Sequence, residues 1–392
     1  MSAQDANGRI WKRVMPIGSF LIDRGVQLDF SAMTPEQQKV LKKVLGLKVN
    51  TSEPVTCVLD GETARIQGFQ NLLPGEKFPV SFDDMKVLEN APLPAIGEMT
   101  QSAGGAANNA AQGCLKFGKT PIMLSGIGEN DENGKILEEI AREDGIDTGA
   151  ILKKKGMGTG VSIILRYDGD RFIMTYRGAS THAEKDIPAD FPEQFRPDCV
   201  ILSNCNNTAT SLLVLTKLAG KGVNKLWVPS ENDMRTLRQM FTGDDLLQAE
   251  LLKHMFKALG DSEVSCMCLN ATEWGHTTDA MRETLLDAFK VIAVTNGKSG
   301  GDICHRVDGE MVYDNYKAAP TKMGFMDSTG AGDAFSLTFF FALNYFAGDV
   351  RKAVDAARCV SASIVAYDDP FSGYPPCHTA EELEAFVKDW LS

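Results

Sequence analysis

Met326 to Phe335 reads M-D-S-T-G-A-G-D-A-F and runs into an apolar stretch, Ala334 to Ala347. Gly330, Ala331 and Gly332 carry almost no side chain, and Asp333 closes the turn. A small-residue turn that opens a helix presents bare N–H groups at the positive end of the helix dipole. Such a turn suits an anion, phosphate above all. A carboxylate at its mouth is placed to take a proton from an attacking hydroxyl. The other reading of the same residues is a plain helix N-cap, for which Asp and Gly are ordinary choices. The turn alone does not choose between them.

Five further groups carry chemistry. Val14 to Ile22 reads as a first buried strand, and Asp23 follows it. A carboxylate there lies where open α/β sheets bind ligands; its other role is to cap the next turn. Ala103 to Ala111 reads A-G-G-A-A-N-N-A-A. Gly104 and Gly105 allow close backbone approach, and Asn109 offers a donor and an acceptor to a hydroxyl. G-x-G-x-x-G spacing is missing, so this is no dinucleotide fingerprint. Asn270-Ala-Thr-Glu273 follows a second buried strand. Amide and carboxylate three apart point the same way and can hold a water-rich Mg²⁺ shell or phosphate oxygens, or simply cap a helix. Val294 to Gly300 reads V-T-N-G-K-S-G, a turn able to line a nucleotide. A P-loop would need glycine where Ile292 stands, so that motif fails. Arg171 and Arg177 bracket a strand; they are either solvated or, for Arg177, near an anionic group.

The elements that must position these residues alternate from Gly104 onward. A small-residue helix, Ala106 to Phe117, leads to a strand, Pro121 to Ile127, and a helix, Gly134 to Glu143. Paired strands Gly160–Tyr167 and Arg171–Tyr176 turn at Asp168-Gly169. Strands at Cys199–Ser203, Leu226–Pro229, Ser265–Leu269 and Val291–Thr295 then alternate with helices at Ser211–Ala219, Leu246–Leu259 and Thr278–Phe289. Asp302 to Val312 reads as a hairpin, and Val350, Val354, Ala357, Val360 and Ile364 mark a last long helix. This rhythm means βαβ units and a mainly parallel sheet covered on both faces. Residues 31–98 fall outside it, with a short helix at Pro35–Leu45 and a hairpin within Val55–Phe69. They suit a small appended sheet or lid.

The 392 residues carry a formal charge of −12, which excludes a general binder of nucleic acid or acidic membranes. No apolar run reaches the roughly 18 residues of a membrane span, and the start shows no apolar signal region. The nine cysteines are scattered, and Cys266-x-Cys268 lacks a second pair at metal spacing. A cytoplasmic protein with buried free thiols is expected.

These signals meet in one family. Asp327-Ser-Thr-Gly-Ala-Gly-Asp333 resembles the D-T-x-G-A-G-D signature of the ribokinase (PfkB) carbohydrate and nucleoside kinases. Gly104-Gly105 with Asn109, Ala111, Gly118 and Gly128 resembles its N-terminal signature, and Asn270-A-T-Glu273 its N-x-x-E motif. Gly18…Asp23, Y-R-G-A-S and Val294 to Gly300 match further blocks in order, so the resemblance spans residues 14 to 390. It implies a single ribokinase-like domain over 1–392, a three-layer α/β/α sandwich with a lid from 24–100 plus part of 158–178. It implies Asp333 as catalytic base and Gly330, Ala331 and Gly332 as the anion hole. Asp23, Gly104, Gly105 and Asn109 are then substrate contacts. Asn270 and Glu273 hold phosphate and Mg²⁺, the metal through water, and Thr295, Gly297 and Gly300 lie on the ATP side. A monovalent cation and a homodimer through the lid are compatible with it.

Three departures stand out. Leu337 takes a place usually given to a small residue, Gly128 to Asp131 is one residue longer than the usual G-x-D, and 81 positions separate Asp23 from Gly104. An enlarged lid or a dimer contact is expected from the last. The expected activity is ATP- and Mg-dependent phosphorylation of a hydroxymethyl group on a small sugar. Two alternatives stand beside it. An adenosine-kinase-like nucleoside kinase would gain from lid aromatics such as Phe20 and Phe172, and a pseudokinase would act as a structural or regulatory partner.

Overall fold

The computed structural model describes residues 11–27 and most of 98–392. Between 28 and 97 it describes 34, 58–60, 63–67, 77–79, 83 and 85–86; later gaps are 168–169, 182–185, 204, 206–207, 244–245, 323–329, 368–372 and 376. The expected helix at Pro35–Leu45 lies outside the described residues.

In chain order, β1 (Arg13–Ile17) and β2 (Leu21–Gln27) precede β3 (Val58–Asp60), β4 (Thr63–Gln67), β5 (Lys77–Pro79) and β6 (Glu98–Gly104). Next come α1 (Ala106–Lys116), β7 (Thr120–Pro121), β8 (Gly126–Gly128), α2 (Glu132–Glu143) and β9 (Leu152–Lys154). A hairpin, β10 (Gly160–Tyr167) and β11 (Asp170–Tyr176), is followed by α3 (Phe191–Phe195) and β12 (Cys199–Ser203). The alternation continues through α4 (Thr208–Leu218), β13 (Asn224–Val228), α5 (Glu231–Thr242), α6 (Leu246–Leu259) and β14 (Ser265–Asn270). α7 (Ala271–Gly275), α8 (Asp279–Ala288) and β15 (Val291–Thr295) precede a second hairpin, β16 (Gly301–Val307) and β17 (Glu310–Tyr316). Three helices close the chain: α9 (Ala331–Tyr345), α10 (Val350–Ile364) and α11 (Ala380–Leu391).

Eight strands form the main sheet in the order β17-β16-β15-β14-β13-β12-β1-β7. All pairs from β7 to β15 are parallel, and the β15–β16–β17 edge is antiparallel. Alternation splits each strand between two cores. Cys199 and Ile201 face α1, α9 and α10, whereas Val200 and Leu202 face α4, α5, α6 and α8. That gives helices on both sides of the sheet, the three layers expected. α9 is buried on every side, with Phe339, Phe340 and Phe341 all 0% exposed, because it lies between the sheet and α10. Burial of each such ring contributes ~1.5–3 kcal/mol. The β16–β17 turn at Asp308 (φ 51) and Gly309 (φ 88) has both central residues left-handed, as a tight hairpin requires.

A second sheet has the order β5-β11-β10-β2-β6. Its make-up corrects one expectation: Val14–Ile22 is not one strand. It divides at Gly18 into β1 of the main sheet and β2 of the second. A Cβ on Gly18 would overlap the carbonyl oxygen of Ser203, so only glycine lets the chain leave the main sheet there. Pro121–Ile127 is likewise broken. Only Thr120–Pro121 joins the main sheet as a strand, and Gly126–Gly128 pairs with β9 instead. The hairpin within Val55–Phe69 forms as β3 and β4. β5, from the long 31–98 segment, adds a fifth strand beside β11, so that segment does not pack on the main sheet alone.

The short α3 and two longer helices, α5 and α11, escaped the sequence reading. The two longer ones begin with a reciprocal capping box, Ser230 with Asp233 and Thr379 with Glu382, on otherwise polar surfaces. Two departures also find their explanation. The Gly128–Asp131 loop absorbs its extra residue at Asn130, which is left-handed (φ 59), while Asp131 caps α2 and accepts from Thr159 N at 2.9 Å. Leu337 is accommodated by Gly113 on α1, where a Cβ would overlap Leu337 Cδ1.

Candidate active site

The C-terminal ends of β1 and β12–β15 and one face of the second sheet enclose a cavity of about 470 Å³. α9 enters it N-terminus first. Gly330 is the N-cap at φ 77, and no side chain caps the first turn. Ser336 Oγ and Ser361 Oγ donate to the carbonyls of Gly332 and Ala331 at 2.9 and 3.0 Å, fixing the peptide planes of the turn. A Cβ on Gly332 would meet nothing within 4 Å, so protein packing does not demand glycine there. The space lies beside bare N–H groups at the positive end of a 15-residue helix, the setting that suits an anion.

Asp333 stands in this turn, and Asn109 Nδ2 donates to its Oδ2 at 2.8 Å across 224 positions of sequence. Asn109 is placed by α1, whose N-terminus is tied to the β1–β2 crossing. Ala106 N and Ala107 N donate to Ser19 Oγ and Ser19 O at 3.0 and 2.9 Å. Gly105, at φ 93, packs on the same Ser19 carbonyl. On β2, Asp23 pairs in register with Ser102 and Ser162, and its carboxylate covers the Cα of Gly104.

Asn270 and Glu273 form a capping box on α7. Glu273 N donates to Asn270 Oδ1 at 2.9 Å, and Asn270 N to Glu273 Oε2 at 2.7 Å. The capping explanation is therefore realised, yet both residues also line the cavity. Burial pushes the Glu273 carboxyl up to about 7, against the Asn270 hydrogen bond and with help from Glu231 and Asp233. With Oε2 committed, this donor set has one free carboxylate oxygen. It fits a cation that keeps most of its own water, not an all-protein cage.

Asp23, Gly105, Asn109, Asn270, Glu273, Thr295, Gly330, Gly332 and Asp333 line this one cavity. Gly104, Gly297, Gly300 and Ala331 are not in its lining. Gly104 serves Asp23 from behind, and Gly300 (φ 93) sits against the Tyr316 carbonyl where the chain turns into β16. Ser19, Ser162, Thr175, Ser203 and Ser336 also line the cavity and were missed. Ser162 and Thr175, their hydroxyls 3.1 Å apart, share a face with Ile164 and Ile173 at period two. That alternation was readable in the sequence. Phe20 is fully buried beside Ile22 and Met123, away from the cavity; the Phe172 side chain lies outside the description.

A model of the pfkB family carbohydrate kinases matches residues 78–369. The chain belongs to the pfkB family. Fructokinase-1 of Oryza sativa subsp. japonica is 27% identical over 279 residues, 65% of this chain and 80% of that protein. Among solved structures, the nucleoside kinase of Burkholderia thailandensis in complex with inosine has TM-score 0.60 at 15% identity, covering 96% and 98% of the two chains. Arabidopsis thaliana ribokinase complexed with ribose and ATP has TM-score 0.59 at 16% identity, covering 96% and 99%. As a pfkB-family member the chain is an ATP-dependent phosphotransferase with an alcohol group as acceptor. No helix among the described residues is long and apolar enough to cross a membrane.

Proposed function

We propose that the chain phosphorylates a hydroxymethyl group of a small sugar, with Asp333 as the base. The observation that carries the sugar reading is the lining of the cavity. It offers Asp23, Asn109, Ser162 and Thr175 to hydroxyl groups and no aromatic ring among the described residues on which a base would stack.

Asp23 and Asn109 hold the acceptor with its hydroxymethyl group toward Asp333. Asn109 also orients the base, since its amide already donates to Asp333 Oδ2. Asp333 takes the hydroxyl proton as the acceptor oxygen bonds to the γ-phosphorus. The bond from that phosphorus to the bridging oxygen breaks, and its electron pair leaves with ADP. N–H groups of the Gly330–Gly332 turn receive the charge that peaks in transfer, each worth a few kcal/mol when preorganised. Thr295 borders the nucleotide side, and Gly297 and Gly300 shape its loop. Mg²⁺ bound with the nucleotide supplies charge neutralisation on the phosphates, and Asn270 and Glu273 would hold it through water. The second sheet covers the acceptor as a lid and keeps water from the phosphoryl group. The eight cysteines among the described residues, all buried free thiols, support placement in a reducing cytosol.

The test is ADP release with Mg-ATP over fructose, ribose, 2-keto-3-deoxygluconate, adenosine and inosine. Turnover on a sugar is expected. Turnover on nucleosides alone overturns the acceptor class, and none with any acceptor favours the pseudokinase.

A further inference from the structure

Among the described residues, the cavity is lined by three carboxylates, Asp23, Glu273 and Asp333, and by one cationic side chain, Arg177. Arg177 directly follows β11 and continues its cavity face at period two from Ile173 and Thr175. Its backbone is pinned: Ser180 N and Ser180 Oγ donate to its carbonyl at 3.1 and 2.5 Å. Gly160 packs on that same oxygen.

The side chain is half-buried, yet its guanidinium forms no hydrogen bond or ion pair among the described residues. Burial pulls its pKa below the ordinary value, and Asp233 acts in the opposite direction. Asp233 is itself 0% exposed. Its Oδ2 accepts from Ser230 N and Ser230 Oγ, both at 2.8 Å, and its Oδ1 has no partner among the described residues. The Asp233 charge thus favours the charged arginine, with no hydrogen bond between the two among the described residues. Lys154, a buried cation on β9, is by contrast paired with Asp186 at 2.9 Å. An unpaired, half-desolvated guanidinium is costly to keep unless an oxyanion arrives.

We propose that Arg177 is a phosphoryl clamp. It takes oxygens of the group in transfer from the second sheet, while the Gly330–Gly332 turn takes them from the main sheet. The proposal rests on the kinase reading, because the phosphoryl group is the anion that reaction must bring into the cavity. A planar fork of donors matches phosphate oxygens, and charge supplied from within the chain is a recurrent device in phosphoryl transfer. An acidic acceptor is the weaker choice, since its charge would sit beside Asp23 and Asp333.

The test compares wild type, Arg177→Gln and Arg177→Lys on the acceptor found in the screen. In Arg177→Gln, kcat falls by at least about 10²-fold, the scale for losing one preorganised donor, with acceptor KM within threefold. Arg177→Lys keeps stem and charge, safeguards the fold and recovers part of that loss. Calorimetry gives a readout apart from turnover. Affinity for Mg-ADP is unchanged in Arg177→Gln, whereas affinity for Mg-ADP with aluminium fluoride and acceptor drops at least tenfold. Equal kcat and equal fluoride-complex affinity in wild type and Arg177→Gln overturn the clamp. So does a KM rise confined to acidic acceptors, which would make Arg177 their ligand. If wild type turns over no acceptor, the kinase reading falls and the clamp with it; if only Arg177→Gln behaves as wild type, the kinase reading survives.

Discussion

Replacing Gly104 by alanine tests whether Asp23 works from the place the fold gives it. A Cβ on Gly104 would stand 2.8 Å from Asp23 Oδ1 and closer still to Cγ and Oδ2. Ordinary contact begins near 3.4 Å, so the carboxylate must retreat by roughly 1 Å, a displacement that can cost about 10²-fold in a positioned site. Gly104 does not have a positive φ, so alanine brings no backbone strain of its own. The expected result is a fall of ~10²-fold in kcat/KM for the acceptor, about 2.7 kcal/mol, with the KM for ATP unchanged. Asp23→Ala removes the atoms the new methyl would strike. In that background Gly104→Ala should therefore cost less than about threefold, the signature of two neighbours acting through one contact. ADP-release kinetics on the four proteins measure this cycle. An equal penalty in both backgrounds refutes the reasoning, because the glycine would then serve something other than Asp23.

Glu273 makes stability depend on pH without any ligand. Its folded pKa is raised to about 7, so stability is fully present below the usual carboxylate range and is lost as pH rises toward 7, by ~3 kcal/mol at most. Denaturant titrations from pH 4.5 to 8 should show this slope in the apo wild type and lose it in Glu273→Gln. Leu337→Ala empties the space against Gly113 and should cost ~2–4 kcal/mol. Adding Gly113→Ala should return part of that by filling the void, read as a recovered denaturant midpoint.

Much of the site was legible because its chemistry sits in short local patterns. The glycine turn before Asp333, the Asn270–Glu273 pair and Asn109 after two glycines each declare themselves within a few residues, and the fold joins them in one cavity. The break in Val14–Ile22 was not legible. Apolar residues continue through Gly18, and what ends β1 there is a carbonyl on β12, 185 positions away. Helices α5 and α11 hid from periodicity because few of their residues are buried; their capping boxes were the available signal. Gly297 and Gly300 read as nucleotide contacts, yet Gly300 answers to packing against Tyr316, a constraint set by strand pairing. Arg177 could be noticed in sequence, but that its donors meet no partner among the described residues is a property of three-dimensional placement alone.

Asp333 remains the centre of the account, at the mouth of the turn and in contact with Asn109. The decisive measurement is kcat of Asp333→Asn at saturating ATP and acceptor, with acceptor affinity measured separately. The account predicts a loss of at least about 10²-fold in kcat with both ligands still bound. Turnover near the wild-type rate would contradict it.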